Sequence, residues 1–426
     1  MNRRTSVSRR TALQWAGAWA ASAALPRLAI AKEEPASPAP VRQITRGPKY
    51  HWFGYYDKLE FDPTARYVLG MEVDFEHRSP RPDDVIKVGM VDLAENDRWI
   101  ELGRSTAWCW QQGCMLQWRP RADGEVLWND RQGDRYVCHL LDVKTRAKRT
   151  IPYPVYAVSP DGRWAISTDF RRLGDMRPGY GYNGIADPYG DEPAPAESGI
   201  WRVDLETGRR ELIFSLADAA KIPFEYADFG AAKHWFNHLL VNTDGTRIEF
   251  LHRWKEGQGR HLTRMFTAAP DGSDVRVAIG SGAVSHFIWR DPTHVLAFSK
   301  PTPDDPWGFH LHEDKPGGTV ERIGEGVMYD GDGHCTYSPD LRWILCDTYP
   351  DRERKRKVYM YHIAENRRVD LGSFYEAPEY WSEPRFREWR CDLHPRFCPD
   401  GRHVVIDSPH AGGRQLHLID VSAVVG

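Results

Sequence analysis

The chain has almost nothing in pairs where pairing would matter. Seven cysteines are scattered singly, at positions 109, 114, 138, 335, 346, 391 and 398, and no two stand at the spacing of a zinc or redox motif. This excludes a cysteine metal centre and leaves buried free thiols as the expectation, with a disulfide as the alternative in an oxidising compartment. No charge of one sign predominates: 57 Lys and Arg stand against 60 Asp and Glu, a formal net charge of −3. The one dense basic run, Arg352 to Lys357, reads as a solvated hairpin turn, so the sequence offers no footprint for a nucleic-acid partner. Long apolar runs are missing as well. No stretch approaches the roughly 18 residues that a spanning helix needs, so no membrane span is expected.

What stands at the N-terminus is an address. Ser8-Arg9-Arg10-Thr11-Ala12-Leu13 is a twin-arginine pattern, followed by an apolar stretch rich in Ala and Trp and by Ala29-Ile30-Ala31, small residues suited to signal cleavage. Residues 1–31 are therefore expected to be a signal peptide read by the twin-arginine export machinery, 32–40 a Pro/Ala/Glu linker and 41–426 one domain. The label carries five arginines and no acid, so its removal takes the formal charge to −8. The mature protein is expected to be monomeric, in the periplasm or outside the cell.

A chain this long exceeds the usual single core, but repetition removes the need for several domains. Seven times a short apolar strand runs into a tight turn, as in Val155-Tyr-Ala-Val-Ser-Pro-Asp-Gly and His394-Pro-Arg-Phe-Cys-Pro-Asp-Gly. Each copy is followed by further short alternating strands, giving four per repeat at periods of about 40 to 60 residues. This is the pattern of an all-β, seven-bladed β-propeller of four-stranded antiparallel blades. The seventh copy ends one strand short, and Val41 to Thr45 is the natural donor of the missing one. Ring closure of this kind leaves no open sheet edge.

One slot, at the start of each copy, can be aligned in all seven. It holds Lys58, Met115, Val155, His238, His286, His334 and His394. If the copies are blades and these strands line the channel, four imidazoles from consecutive blades share one arc of one mouth. Protonated imidazoles so close would repel, and a divalent metal is the common reason to gather them. Asp392 and Asp332, each two residues before a slot histidine, point to the same side and could add oxygen ligands. The candidate metal ligands are His286, His334, His394 and Asp392, a mixed N/O donor set that suits Mn, Zn, Fe or Ca.

Aromatic and amide residues crowd the segments that lead into the inner strands: His51 to Asp57, Trp108 to Gln112 and Lys233 to Asn237. Trp110, Gln112 and His234 are candidates for stacking and hydrogen bonding to a sugar, while inter-blade packing is the competing role for such tryptophans. The longest insertion, residues 170–198, carries Arg171, Arg172, Arg177, Tyr180 and Tyr182 among fixed glycines. Its composition predicts an ordered loop over the mouth, with Arg171, Arg177 and Tyr180 facing an acidic ligand.

Asn237-His238, Ser285-His286-Phe287-Ile-Trp289 and Asp392-Leu-His394-Pro-Arg-Phe-Cys-Pro-Asp-Gly together resemble the oligogalacturonate lyase family of seven-bladed propellers. The resemblance covers the C-terminal half, and the first half is similar only in its repeats. It implies His238 as catalytic base and His286 and His394 as ligands of a Mn-type metal. Asp392 takes the place of another family ligand, and His334 is additional. The implied reaction is β-elimination on a uronic acid in an acidic oligo- or polysaccharide, with Arg177 neutralising the carboxylate and Tyr182 or Tyr180 protonating the leaving oxygen. Two other readings stay open: a metal-dependent hydrolase with Asp332 activating water, and a non-catalytic propeller that binds a peptide or protein.

Overall fold

The structure is a computed structural model that describes residues 39–257, 259–380 and 388–426. The expected signal peptide and most of the expected linker lie outside these residues. Seven four-stranded antiparallel sheets follow one another as blades. The seventh is completed by the N-terminal strand: Val41–Gln43 pairs with Gln415–Asp420 in the register Val41↔Ile419, Arg42↔Leu418 and Gln43↔His417. Thr45 fastens the same seam, its hydroxyl donating to Gln415 Oε1 at 2.7 Å and accepting from Leu416 N at 2.9 Å. No helix among the described residues is long and apolar enough to cross a membrane.

The repeat turns are built by their own side chains. Ser159 Oγ bonds Asp161 and accepts from Trp164 N, while Gly162 takes the left-handed φ of 71° that the turn requires. Ser338, Asp340 and Trp343 repeat the device in blade six, with Leu341 at φ 60° where the sister turns have Gly162 and Gly401. Between blades the apolar faces of neighbouring sheets merge. One cluster joins Trp52 and Met71 of blade one to Trp118 and Trp128 of blade two and to Val405 and Leu416 of blade seven. All seven cysteines are buried and unpaired.

Three details differ from the sequence expectation. First, the slots do not lie inside regular inner strands. In blades two, three, six and seven the inner ladder shrinks to Gln117–Trp118, Ala157–Val158, Thr336–Tyr337 and Arg396–Phe397, so the slot falls just before it. In blade four the ladder steps from Asn237↔Leu251 to Leu239↔Phe250 and leaves His238 out, and in blade five it shifts between Val284 and Phe287. Breaking the ladder frees a side chain from strict alternation and re-aims it toward the axis. Second, His51 and Trp52 do not precede blade one; they belong to its inner strand, Tyr50–Trp52. Third, Arg352 to Lys357 is not simply a solvated turn. Arg356 begins a central stretch of the strand Lys355–His362, is 1% exposed and is held by Glu376.

Candidate metal centre and base

At Gly54, φ 120°, the chain leaves the first inner ladder; a Cβ there would lie 2.9 Å from the backbone of Gln112. The freed segment carries Tyr55, Tyr56, Asp57 and Lys58 into the middle of the histidine arc. The Tyr55 ring lies 4.8 Å from that of His238 and 5.2 Å from that of His394. The Tyr56 ring lies 5.2 Å from His334 and 5.8 Å from His286. Its hydroxyl donates to Phe287 O and accepts from Phe287 N, both at 2.9 Å, so blade one is tied to blade five across the channel.

Three of the four histidines form one cluster. The ring of His334 is 4.1 Å from that of His286 and 4.3 Å from that of His394. Nδ1 of His334 is held by Asp347 at 2.9 Å, and Nδ1 of His286 by Asp332 at 2.9 Å. A carboxylate on one ring nitrogen fixes tautomer and orientation and leaves the other nitrogen as the ligating atom. The Nε2 atoms of His334 and His394 are buried and have no hydrogen-bond partner. His334, His394 and Asp392 each offer one donor atom, and these atoms lie within 4.8 Å of one another. Burial, and then the neighbouring His334, keep His394 well below the ordinary imidazole range, so its lone pair is available.

This donor set fits a divalent cation. Asp392 reaches it already engaged, with Arg390 Nε at 2.6 Å and Arg356 Nη1 at 2.8 Å. Burial disfavours its charged form, but Arg390 and Arg356 outweigh that and hold its carboxyl well below the usual range. His286 stands beside this group of three rather than within it. Asp332 accepts from Ser285 at 2.6 Å and pairs with His286 at 2.9 Å, so it orients the His286 ring.

His238 stands apart from this cluster. Its ring lies 3.9 Å from Phe287, and its Nε2 is 3.3 Å from Asp57 Oδ2, which Lys58 Nζ also holds at 2.8 Å. Burial works against an ionised Asp57, yet Lys58 and His238 together bring its carboxyl down to about 2. Burial in turn lowers His238 to about 4 against the pull of Asp57, so the imidazole is neutral near pH 7. The anionic Asp57, 3.3 Å away but outside hydrogen-bond geometry, favours the hydrogen on Nε2 by its charge, and that leaves the basic lone pair on Nδ1.

The remaining sequence candidates divide. Arg177 and Tyr180 reach the centre: the Arg177 guanidinium lies 3.9 Å over the Tyr180 ring, and Arg390 Nη2 donates to the Tyr180 hydroxyl at 2.7 Å. Gln112 stands one ring removed, its Nε2 donating to Tyr156, whose ring lies 4.8 Å from Lys58 Nζ. Tyr182 is not brought to the centre; it stacks on Phe170 at 4.3 Å and its hydroxyl accepts from Asn129. Trp110 packs among Trp52, Trp108 and Phe75. His234 is turned to the other face of its strand, against His252 and Phe229. Arg171 forms a bidentate pair with Asp169 away from the histidines.

The insertion is ordered, as its composition predicts. Residues Phe170–Met176 form a helix capped by Asp169, and the buried guanidinium of Arg172 gathers four backbone carbonyls, those of Tyr189, Glu192, Pro193 and His234, besides Asp187. Tyr55, Tyr56, Asp57 and Lys58 are the residues that sequence reasoning left unassigned. Their signal was present as an acid beside a slot residue, in a run singled out only for its aromatics.

No protein-family model and no curated protein matches the chain. Solved structures do. An oligogalacturonate lyase in complex with manganese superposes with a TM-score of 0.65 at 16% identity, over 91% of this chain and 94% of that one. An oligogalacturonate lyase from Vibrio parahaemolyticus gives 0.63 at 14% identity, over 91% and 96%. One of two prolyl endopeptidases gives 0.50 at 12% identity, with 88% of this chain matching 48% of that one. The resemblance read from the C-terminal half thus extends, as a fold, along nearly the whole described chain, which has the seven-bladed architecture of the oligogalacturonate lyases.

Proposed function

We propose that the protein is an exported, metal-dependent lyase that cleaves glycans containing uronic acid by β-elimination. One observation carries this reading: the buried, unpartnered imidazole nitrogens of His334 and His394 gather with the Asp392 carboxylate, beside a separate neutral imidazole, His238, that lies 3.3 Å from the carboxylate of Asp57. His334, His394 and Asp392 would hold a divalent cation, manganese in the first instance, with His286 at its side. When bound, the cation supplies positive charge that makes the proton next to a uronate carboxylate more acidic.

The chain's own groups provide the rest. Nδ1 of His238 accepts the C5 proton, the C4–C5 double bond forms, and the C4–O bond breaks. Tyr55, kept protonated by burial well above its ordinary range, stands where it could return a proton to the leaving oxygen. Tyr180, whose hydroxyl accepts from Arg390, is a second candidate for this proton and replaces Tyr182 in the role. The engagement of Asp332 by Ser285 and His286 favours elimination over a hydrolase that would need this carboxylate for water. The twin-arginine pattern supports export through that machinery to the periplasm.

Elemental analysis of the mature protein, followed by incubation with oligogalacturonates and other uronides, tests the proposal. We expect about one transition metal per chain and ultraviolet absorbance from an unsaturated uronate product. A metal-loaded protein that releases only saturated ends would replace the lyase by a hydrolase.

A further inference from the structure

Blade four holds a second concentration of polar groups, apart from the His334, His394 and Asp392 group. Arg253, in the strand Ile248–Lys255, is 4% exposed, and neither its Nε nor its Nη1 has a hydrogen-bond partner. No carboxylate among the described residues pairs with it. Directly across the ladder stands Trp235, buried, with its indole Nε1 unpaired. Asn237, two residues further on the same strand face, leaves both its amide oxygen and its amide nitrogen unpaired.

A second guanidinium approaches from the insertion. Arg177 follows the helix Phe170–Met176, and its Nη1 is buried without a partner. Lys255 Nζ donates to Met176 O at 3.1 Å and so ties this helix end to the Arg253 strand. His261 lies 5.8 Å from the Trp235 ring and is held at about 3 by burial and then by Arg177, Lys255 and Arg260. A buried guanidinium is ordinarily paired, because removing its charge from water without a partner is costly. Here cations and N–H donors converge with no acid among them. That is the inverse of the His334, His394 and Asp392 group, which is rich in acceptors.

We propose that Arg253, Arg177, Trp235 and Asn237 form a carboxylate-binding subsite, in which the ligand's planar anion supplies the missing partner of Arg253. Asn237 immediately precedes His238, so a carboxylate bound there is registered against the base through one stretch of backbone. The identification of the anion as a uronate rests on the lyase reading; the subsite itself rests on the unpaired donors.

Binding of a saturated galacturonate trisaccharide and of its carboxyl-reduced, neutral counterpart is the test, in a His238→Ala background that prevents turnover. Arg253→Met is expected to weaken the acidic sugar by about tenfold or more and to leave the neutral one unchanged. Arg253→Lys, which keeps the charge but loses the fork, falls between them. Without ligand, Arg253→Met is expected to melt no lower than its parent, since it removes an unpaired buried charge. A lower melting temperature with an unchanged preference for the acid would overturn the subsite and make Arg253 structural. Failure of the lyase reading shows separately, as charge-selective binding without an unsaturated product from the unsubstituted protein.

Discussion

Blades one to three and blades four to seven present the same position to the channel and fill it with opposite chemistry. Lys58, Met115 and Val155 occupy one arc, and His238, His286, His334 and His394 the other. The backbone is not what separates them. Met115 is as left-handed, at φ 57°, as His238 at 50° and His394 at 43°. Such conformations cost a non-glycine residue on the order of 1 kcal/mol or more and persist where the surroundings over-determine them. The left-handed slot therefore occurs on both arcs, at Met115, His238 and His394, and the histidine is what one arc has placed on it. The plain arc is also not idle, since Lys58 holds Asp57, which orients His238 on the opposite arc.

This contrast breaks most sharply at His238 and Met115. His238→Ala is expected to lower turnover of a uronide by about 10³-fold, the span of a general base, with metal content unchanged. Met115→Ala is expected to cost about 3 kcal/mol of stability through the cavity it leaves while turnover per folded molecule stays the same. Steady-state kinetics beside denaturant melts measure both, and an equal loss of turnover in the two variants would erase the distinction between the arcs. The pair His334→Ala and His394→Ala, combined, should take bound metal from about one per chain to none. Val155→Ala should leave it in place, as elemental analysis of both proteins would read.

How much of this was legible in the sequence follows from what repeats and what does not. The blades, the closure by Val41–Gln43 and the histidine arc were all visible because each recurs in register or completes a pattern. The positions of single side chains around the centre were not. Tyr180 and Tyr182 sit two apart in one loop, yet only Tyr180 reaches the centre, because Tyr182 stacks on Phe170 within the loop itself. His234 and His238 share a strand of alternating faces, but the skipped residue at His238 breaks the alternation that would have related them. The contribution of Tyr55 to Lys58 depends on a chain that leaves its ladder at Gly54, and no periodicity announces a departure.

The pairing across the channel has a pH signature. His238 must be neutral to accept a proton, so activity should fall as pH drops through about 4. Asp57 favours the charged imidazole, so Asp57→Asn should push the His238 pKa, and with it the acid limb, to lower pH. Turnover should fall about tenfold at the same time, because the tautomer is no longer held. The same Asp57 stabilises the fold above its unfolded pKa of 3.8, and that contribution is lost as pH falls through about 2. A pH–rate profile whose acid limb rises in Asp57→Asn would mean that the carboxylate does not act on His238.

The smallest expected effect separates strain that serves the centre from strain that merely turns the chain. Leu341 adopts φ 60° in the turn at the far end of blade six, where blades three and seven have Gly162 and Gly401. It is 45% exposed, so little packing is lost on its removal. Leu341→Gly should relieve the left-handed backbone and raise stability by about 0.5–1 kcal/mol, with part of the gain offset by the greater freedom of glycine in the unfolded chain. Metal content and turnover should not change. If they do, the turn and the slot of a blade are mechanically coupled along its inner strand, and the aim of His334 is set from the opposite face of the ring.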